Sequence, residues 1–148
     1  MSRSMGPPFA LEGIDHVLLL VSGMREALRF YCDVLGCHIE GELPEFGMVQ
    51  LRAGVALIDL VDVGVTAGQW ARPTITGGRN VDHVCIAIAA CDEQQLRRHL
   101  ASHAVEIVEE GLHKGARGDS LSIYFRDPSG NTIELKGPPP APPQLSQH

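Results

Sequence analysis

The chain has 148 residues, 44% of them hydrophobic and 20% charged, which indicates one soluble globular domain large enough to bury a core. Eighteen acidic against twelve basic residues give a net charge of -6, which argues against nucleic acid or an anionic membrane as a partner. Four cysteines without a C-x-x-C spacing are typical of reduced thiols. The first ten residues contain no continuous apolar core for export, and no run is apolar enough to span a bilayer. We therefore expect a cytoplasmic protein.

A five-residue sequence motif occurs twice in the chain in closely similar form. Residues 13–17 read Gly-Ile-Asp-His-Val and residues 80–84 read Asn-Val-Asp-His-Val, and each copy opens an apolar run. Two copies of one unit predict a pseudo-symmetric domain in which each half supplies one histidine, His16 and His83.

The first half begins with an apolar run, residues 13–21, that predicts a strand covered on both faces. Ser22 then predicts the cap of a helix whose apolar residues recur at helical spacing as far as Leu35, and Gly36 predicts its end. Three short strands follow, over residues 37–43, 46–53 and 55–63.

The second half repeats this order, with a strand over residues 81–89. Asp92 and Gln95 form a variant of the capping box, and a helix with a buried stripe at Leu96, Leu100 and Ala101 follows. The remaining strands are expected over residues 104–109, 120–126 and 131–136, with a polar loop at 110–119.

These elements predict an α+β fold made of two β-α-β-β-β modules. The expected organisation is a flexible N-terminus at 1–12, a first module at 13–63, a connector at 64–79, a second module at 80–136 and a disordered proline-rich tail at 137–148.

Strand side chains alternate between two faces, so their parity decides which of them can meet. One face of each predicted sheet is consistently apolar and is expected to pack against the helices. The other face is rich in polar and ionisable groups, and consists of His16, Met48, Gln50, Arg52, Asp59, His83, Cys85, Ser122, Tyr124, Arg126, Thr132, Glu134 and Lys136. A sheet with one apolar face and one polar face predicts that the polar face lines a cleft. Two histidines with one or two carboxylates are a set of side chains that can bind a divalent metal ion.

Four segments carry a resemblance to a known family. They are Ile-Asp-His at 14–16, Phe-Tyr at 30–31 with Leu-Gly at 35–36, Val-Asp-His at 81–83, and Ser-Ile-Tyr-Phe-Arg-Asp-Pro-Ser-Gly-Asn-Thr-Ile-Glu-Leu at 122–135. Together they resemble the vicinal oxygen chelate superfamily, which includes glyoxalase I, fosfomycin-resistance enzymes, bleomycin-binding proteins and extradiol dioxygenases. The resemblance covers about residues 13–136. It implies two modules whose strands form a curled eight-stranded mixed sheet around a cleft that holds one divalent metal ion.

The resemblance implies His16, His83 and Glu134 as metal ligands, with Asp59 at a fourth position. Aspartate is one methylene shorter than the glutamate often found there, so Asp59 would bind directly, through water or not at all. Two imidazoles and a carboxylate suit Zn, Ni, Fe(II), Mn or Co and leave positions open for substrate.

The function that follows is a glyoxalase-like, metal-dependent lyase or isomerase acting on a small oxygen-chelating substrate, with Glu134 or Asp59 as the catalytic base. The side chains expected to orient the substrate are Arg52, Tyr124, Arg126, Lys114 and Arg117, although Arg126 equally suits an ion pair with Asp127. Alternatives are a fosfomycin-type resistance enzyme and a metal-free drug-sequestering protein of the bleomycin-resistance kind. We expect a homodimer, in which the site lies within one chain or is shared by two.

Overall fold

The computed structural model describes residues 12, 14–71 and 81–142. The first half contains β1 (His16–Val21), α1 (Met24–Leu28) continued by a π-helical segment (Arg29–Val34), β2 (His38–Leu43), β3 (Met48–Ala53) and β4 (Ala56–Asp62), with 3-10 turns at Pro44–Phe46 and Thr66–Ala71. The second half contains β5 (Val84–Ala87), α2 (Glu93–Ser102), β6 (Glu109–His113), β7 (Ser120–Arg126) and β8 (Thr132–Lys136). Among these residues, no helix is long and apolar enough to cross a bilayer.

The strands form two mixed sheets of the same topology. Their orders are β1-β4-β3-β2 and β5-β8-β7-β6. In each sheet the first strand lies parallel to the last, and the other pairs are antiparallel. The predicted α+β fold of two β-α-β-β-β modules is confirmed, and the eight strands divide into two sheets of four.

The start of α1 differs from its prediction, because Ser22 does not cap the helix. The Asp62 carboxylate accepts hydrogen bonds from the backbone N–H groups of Gly23 and Met24, at 3.3 and 3.0 Å. The backbone N–H of Ser22 instead donates to Ser129 Oγ at 2.9 Å. A carboxylate at the end of β4 therefore satisfies the free N–H groups that a local serine was expected to satisfy.

The cap of α2 is confirmed, since Asp92 Oδ1 accepts a hydrogen bond from the backbone N–H of Gln95 at 2.9 Å. The predicted buried stripe is only partly correct. Leu100 is buried and Leu96 half-buried, whereas Ala101 is exposed because it lies on the outer side of the helix.

The predicted strand at 104–109 is wrong. The strand β6 lies at Glu109–His113 and pairs antiparallel with β7, so that all of it except Glu109 falls in the segment expected to be a loop. Val105 and Ile107 do pack against the core, but from an extended segment that joins no strand. The alternation of apolar residues at 104–109 indicates only that one side of this segment is buried. Which residues pair with β7 is decided by the register between the two strands.

One hydrophobic core joins the two modules. Its buried members come from the helix-facing sides of both sheets and from the helices, and include Leu19, Val21, Ala27, Phe30, Tyr31, Leu51, Ile58, Leu60, Leu100, Ile123, Phe125, Ile133 and Leu135. The ring of Phe30 packs edge-on against Phe125, with centroids 6.0 Å apart. Because the helix-facing sides meet in this core, the opposite faces of the two sheets remain open.

The ends of the chain and the connector are only partly described. Residues 137–142 continue β8 without helix or strand. The predicted flexible N-terminus up to residue 11, the connector residues 72–80 and the tail residues 143–148 lie outside the described residues.

Candidate functional site

The second module pairs an imidazole with a buried carboxylate. His83 immediately precedes β5, and its Nε2 lies 3.1 Å from Oε2 of Glu134 on β8, the neighbouring strand. Glu134 is only 4% exposed. Cys85 is in register with Glu134, and the ring of Tyr124 packs edge-on against His83 with centroids 5.4 Å apart. We call His83, Cys85, Ser122, Tyr124 and Glu134 the second-module half-site.

The environment of Glu134 favours its ionised form. Burial raises the pKa of this carboxyl, but hydrogen bonds from Ser122, Cys85 and Tyr124 and the charge of His83 outweigh burial, so that the pKa is lowered overall. Burial and the nearby Glu134 charge raise the pKa of the Cys85 thiol to about 11 and that of the Tyr124 hydroxyl to about 12. Near neutral pH, the half-site therefore holds one carboxylate surrounded by protonated donors.

The first module has the same strand register as the second, but its histidine does not contact its buried carboxylate. His16 begins β1, and two residues later Leu18 is in register with Asp59 on β4, as Cys85 is with Glu134 in the second module. His16 Nδ1 contacts Oδ1 of its neighbour Asp15 at 2.6 Å. The hydrogen bond from His16 to the Asp15 carboxylate, assisted by the charge of Asp59, raises the pKa of His16 against the opposing effect of desolvation. Asp59 is 4% exposed, and its Oδ1 has no hydrogen-bond partner among residues 12, 14–71 and 81–142.

The structure brings together His83 with Glu134 and places His16 in the same open cavity as Asp59. It does not join the two pairs in one chain. Among residues 12, 14–71 and 81–142, no three His, Cys, Asp or Glu side chains come close enough to hold a metal ion. The four-residue metal set therefore stays a prediction, and within a single chain it is divided into two half-sites.

An open cavity of about 800 Å³ lies against the first-module half-site. It is lined by His16, Leu18, Leu43, Phe46, Met48, Gln50, Asp59 and Trp70. Trp70, the tryptophan of the turn at Thr66–Ala71, lies in the cavity wall. Sequence reasoning missed Leu43 and Phe46, although strand parity counted back from Met48 would have placed Phe46 on this face.

Two of the predicted substrate-binding arginines already have protein partners. The guanidinium of Arg52 donates to both carboxylate oxygens of Glu40, at 3.2 and 3.0 Å. That of Arg117 donates to the carbonyl oxygens of Ile88 and Lys136, at 3.2 and 2.8 Å, which ties the β6–β7 loop to the ends of β5 and β8. Their predicted role toward substrate would require exchanging these partners.

The remaining predicted substrate contacts differ in position. Tyr124 lies in the second-module half-site, whereas Lys114 and Arg126 are exposed. Asp127, the alternative partner considered for Arg126, accepts its hydrogen bonds from Tyr31 and from the turn that follows it. The roles of Lys114 and Arg126 toward substrate stay predictions.

The duplicated modules, the parallel first and last strands and the paired histidine positions define a class of two-module α+β proteins. A comparison of sequences identifies the family. A family model described as the Glyoxalase/Bleomycin resistance protein/Dioxygenase superfamily matches residues 13–135, and the chain belongs to this superfamily.

Individual relatives are distant but cover most of the chain. A virulence protein of Salmonella typhimurium is 29% identical over 126 residues, which are 84% of this chain and 83% of that protein. The metallothiol transferase FosB of Staphylococcus epidermidis is 27% identical over 128 residues, with coverage of 84% and 83%. The solved structure of an integron cassette protein from Vibrio cholerae superposes with a TM-score of 0.66 at 27% identity, covering 87% of this chain and 97% of that one.

Proposed function

We propose that this protein is a divalent-metal-dependent enzyme of the glyoxalase type, a lyase or isomerase acting on a small substrate with neighbouring oxygen atoms. We further propose that its site is completed by two chains of a homodimer. The observation that carries the proposal is the contact of His83 with Glu134 at 3.1 Å, because it leaves a two-donor half-site to which the equivalent His16 is the missing third donor.

The fold supports a site shared between chains. The shared core leaves both half-sites on open sheet faces, and β1 and β5 each lie at the edge of their sheet. A two-fold dimer that sets β1 of one chain beside β5 of its partner would cover these edges. His16 of one chain would then join His83 and Glu134 of the other, a donor set that fits Zn, Ni, Fe(II), Mn or Co.

A divalent ion held there supplies Lewis-acid stabilisation of charge that develops on the substrate oxygens. The chain's own residues prepare the site around it. Ser122, Cys85 and Tyr124 fix the Glu134 carboxylate in its ionised form, ready to act as ligand or to accept a proton on a carboxylate oxygen. The raised pKa of Tyr124 keeps its hydroxyl protonated, so that it donates a hydrogen bond near neutral pH. Asp59 Oδ1, which has no hydrogen-bond partner within the described part of the chain, is the second candidate base.

Two other functions have specific support. Similarity to the metallothiol transferase FosB favours a fosfomycin-type resistance enzyme, although such an enzyme predicts a compact cationic pocket and the observed cavity wall is mainly apolar. The same apolar cavity favours a metal-free protein that sequesters a drug or metabolite, since binding of that kind needs no metal.

Elemental analysis of the purified protein is the first test. We expect about one divalent ion per chain in the parent and little in His16→Ala or in Glu134→Ala, because each variant removes one of three ligands. Negligible metal in the parent, after growth in medium supplemented with each candidate metal, would reject the metalloenzyme in favour of sequestration.

Mixing the two variants tests whether the site is shared. A heterodimer of His16→Ala and Glu134→Ala retains one intact shared site, whereas a site within one chain is damaged in both subunits. Random reassociation makes about half the dimers mixed, so about a quarter of the parental metal should return on mixing. Full loss in the mixture, with mixed dimers verified by mass spectrometry, would reject the shared site and leave an intrachain site.

A further inference from the structure

We infer that the first-module half of the cleft is a subsite for the apolar part of the ligand, and that Asp59 accepts a hydrogen bond from a hydroxyl or ammonium group on that ligand. The inference deepens the proposed function and rests on it only in treating this ligand as the substrate. The subsite itself is built from residues of the first module, so that its binding can be tested separately.

Several large apolar side chains in the cavity wall are exposed to solvent. Leu18, Phe46 and Trp70 expose 37, 48 and 55% of their surface, and Leu43 and Met48 line the wall between them. A volume of about 800 Å³ lies within the range of small-molecule pockets. Neighbouring exposed apolar groups in a concave surface indicate a binding site for an apolar body.

The aromatic wall is held in place before any ligand binds. Trp70 Nε1 donates to the carbonyl oxygen of Phe46 at 2.9 Å, and the two rings meet edge-to-face with centroids 6.3 Å apart. The two turns that carry them touch closely, since a Cβ added at Gly47 would lie 2.8 Å from the backbone nitrogen of Gly68. A wall fixed in this way loses little conformational entropy on binding.

Asp59 provides the polar feature of the subsite. Asp59 lines the cavity and is 96% buried, yet its Oδ1 accepts no hydrogen bond from the residues that the structure describes. A buried carboxylate oxygen without a donor is costly, which indicates that a bound molecule supplies the donor.

The contrast between the two carboxylates indicates which donor this is. Both histidines contact the preceding aspartate through Nδ1, His16 with Asp15 and His83 with Asp82. Only His83 also contacts the buried carboxylate of its own module, Glu134, whereas Asp59, one methylene shorter, stays apart from His16. We therefore assign Asp59 to the ligand rather than to the metal. A fixed negative charge in a chain of net charge -6 favours a neutral or cationic donor and disfavours a carboxylate or phosphonate.

The chain contains one tryptophan, so its fluorescence reports directly on this wall. The probes are para-tert-butylphenol, para-tert-butylbenzylamine and para-tert-butylbenzoate, which share the apolar body and differ in the polar group. Each is titrated into the full-length protein, as isolated and after chelation. We expect saturable changes in Trp70 emission with the phenol or the amine, and at least about ten-fold weaker binding of the benzoate. The stronger of the first two identifies the donor as hydroxyl or ammonium.

Variants assign the contacts. In the chelated protein, Asp59→Asn should reduce binding of the preferred probe to about the level of the benzoate, and Phe46→Ala should weaken all three probes about ten-fold. Met48→Ala provides a second test of the wall. Val55→Ala removes a fully exposed apolar side chain from the turn before β4, and should leave the affinity for all three probes unchanged. Far-UV circular dichroism verifies the fold of each variant.

Equal affinity for the three probes, or unchanged binding in folded Asp59→Asn, would overturn the role of Asp59. Loss of binding in Val55→Ala as large as in Phe46→Ala would overturn the location of the subsite. Metal content is measured on the same samples. Metal with no probe binding rejects the subsite and leaves the proposed function, whereas probe binding without metal supports the subsite and rejects the metalloenzyme.

Discussion

Replacing Asp127 by alanine should strongly destabilise the protein, because this carboxylate joins the two modules. It is buried, and Oδ1 accepts hydrogen bonds from the backbone N–H groups of Ser129 and Asn131, at 2.9 and 2.7 Å. Oδ2 accepts from the Tyr31 hydroxyl at 2.9 Å and from Asn131 Nδ2 at 2.8 Å. Tyr31 belongs to the first module and the other partners to the second.

The size of the effect follows from these four bonds. Each hydrogen bond to a charged group contributes about 1.5 to 3 kcal/mol, but bonds sharing one carboxylate are not additive. Ser129 is exposed and its backbone N–H can bind water after the substitution, whereas the Tyr31 hydroxyl would remain buried without a partner. We therefore expect Asp127→Ala to lower the free energy of unfolding by about 3 to 5 kcal/mol. Tyr31→Phe removes one hydrogen bond to Asp127 and leaves three, so it should lower the free energy of unfolding by about 1 kcal/mol.

Urea unfolding followed by far-UV circular dichroism at fixed protein concentration measures both values, and the double variant completes a thermodynamic cycle. The coupling free energy between Tyr31 and Asp127 should be about 1 kcal/mol. Asp33→Ala, at an exposed carboxylate on the same helix as Tyr31, is the control and should change stability by less than about 0.5 kcal/mol. The reasoning is refuted if Asp127→Ala costs no more than Tyr31→Phe, or if the two substitutions are strictly additive.

Three further effects follow from the fold. Gly68→Ala places a Cβ against the carbonyl group of Asp62, so the free energy of unfolding, measured by thermal unfolding, should fall by about 1 to 3 kcal/mol. An unchanged unfolding midpoint would contradict the close approach. Asp62→Ala removes the hydrogen bonds to the start of α1 and should cost about 1 to 2 kcal/mol in urea, whereas a cost near zero would mean that the cap contributes nothing. Burial raises the pKa of Cys37 from its ordinary 9.0 to about 11, and that of Tyr31 even further. Because the unfolded groups ionise first, stability should be complete below pH 9 and fall as pH rises toward 11, and Cys37→Ala should flatten part of this decline in urea titrations at successive pH values.

The sequence predicted those features that depend on periodicity and repetition. Strand parity separated the buried Leu60 and Ile123 from the open-face residues His16 and Asp59, and the structure has the same division. Repetition placed His83 at the position equivalent to His16. Both signals are local, because a strand has a fixed alternation whatever it pairs with.

The features that the sequence did not predict depend on partners far along the chain. The cap of α1 comes from Asp62, 38 residues after Met24, and no local pattern identifies that partner. The position of β6 depends on register with β7, which the alternating segment at 104–109 does not specify. The division of the metal set has the same cause, since parity fixes which side of a sheet a residue takes but not which way two sheets face each other.

The two modules have the same register and different chemistry, and the difference is concentrated at two matched positions. In register with the carboxylate, the second module has Cys85 and the first has Leu18. At the carboxylate itself, the second has Glu134, long enough to reach its histidine, and the first has Asp59, which leaves an acceptor free. A site shared by two chains would combine one half of each kind, so the duplication proposed to supply the metal donors would also supply a polar reaction centre and an apolar binding wall. In the proposed site, the apolar substrate contacts should therefore come from first-module residues, and two of the three metal donors, His83 and Glu134, from second-module residues.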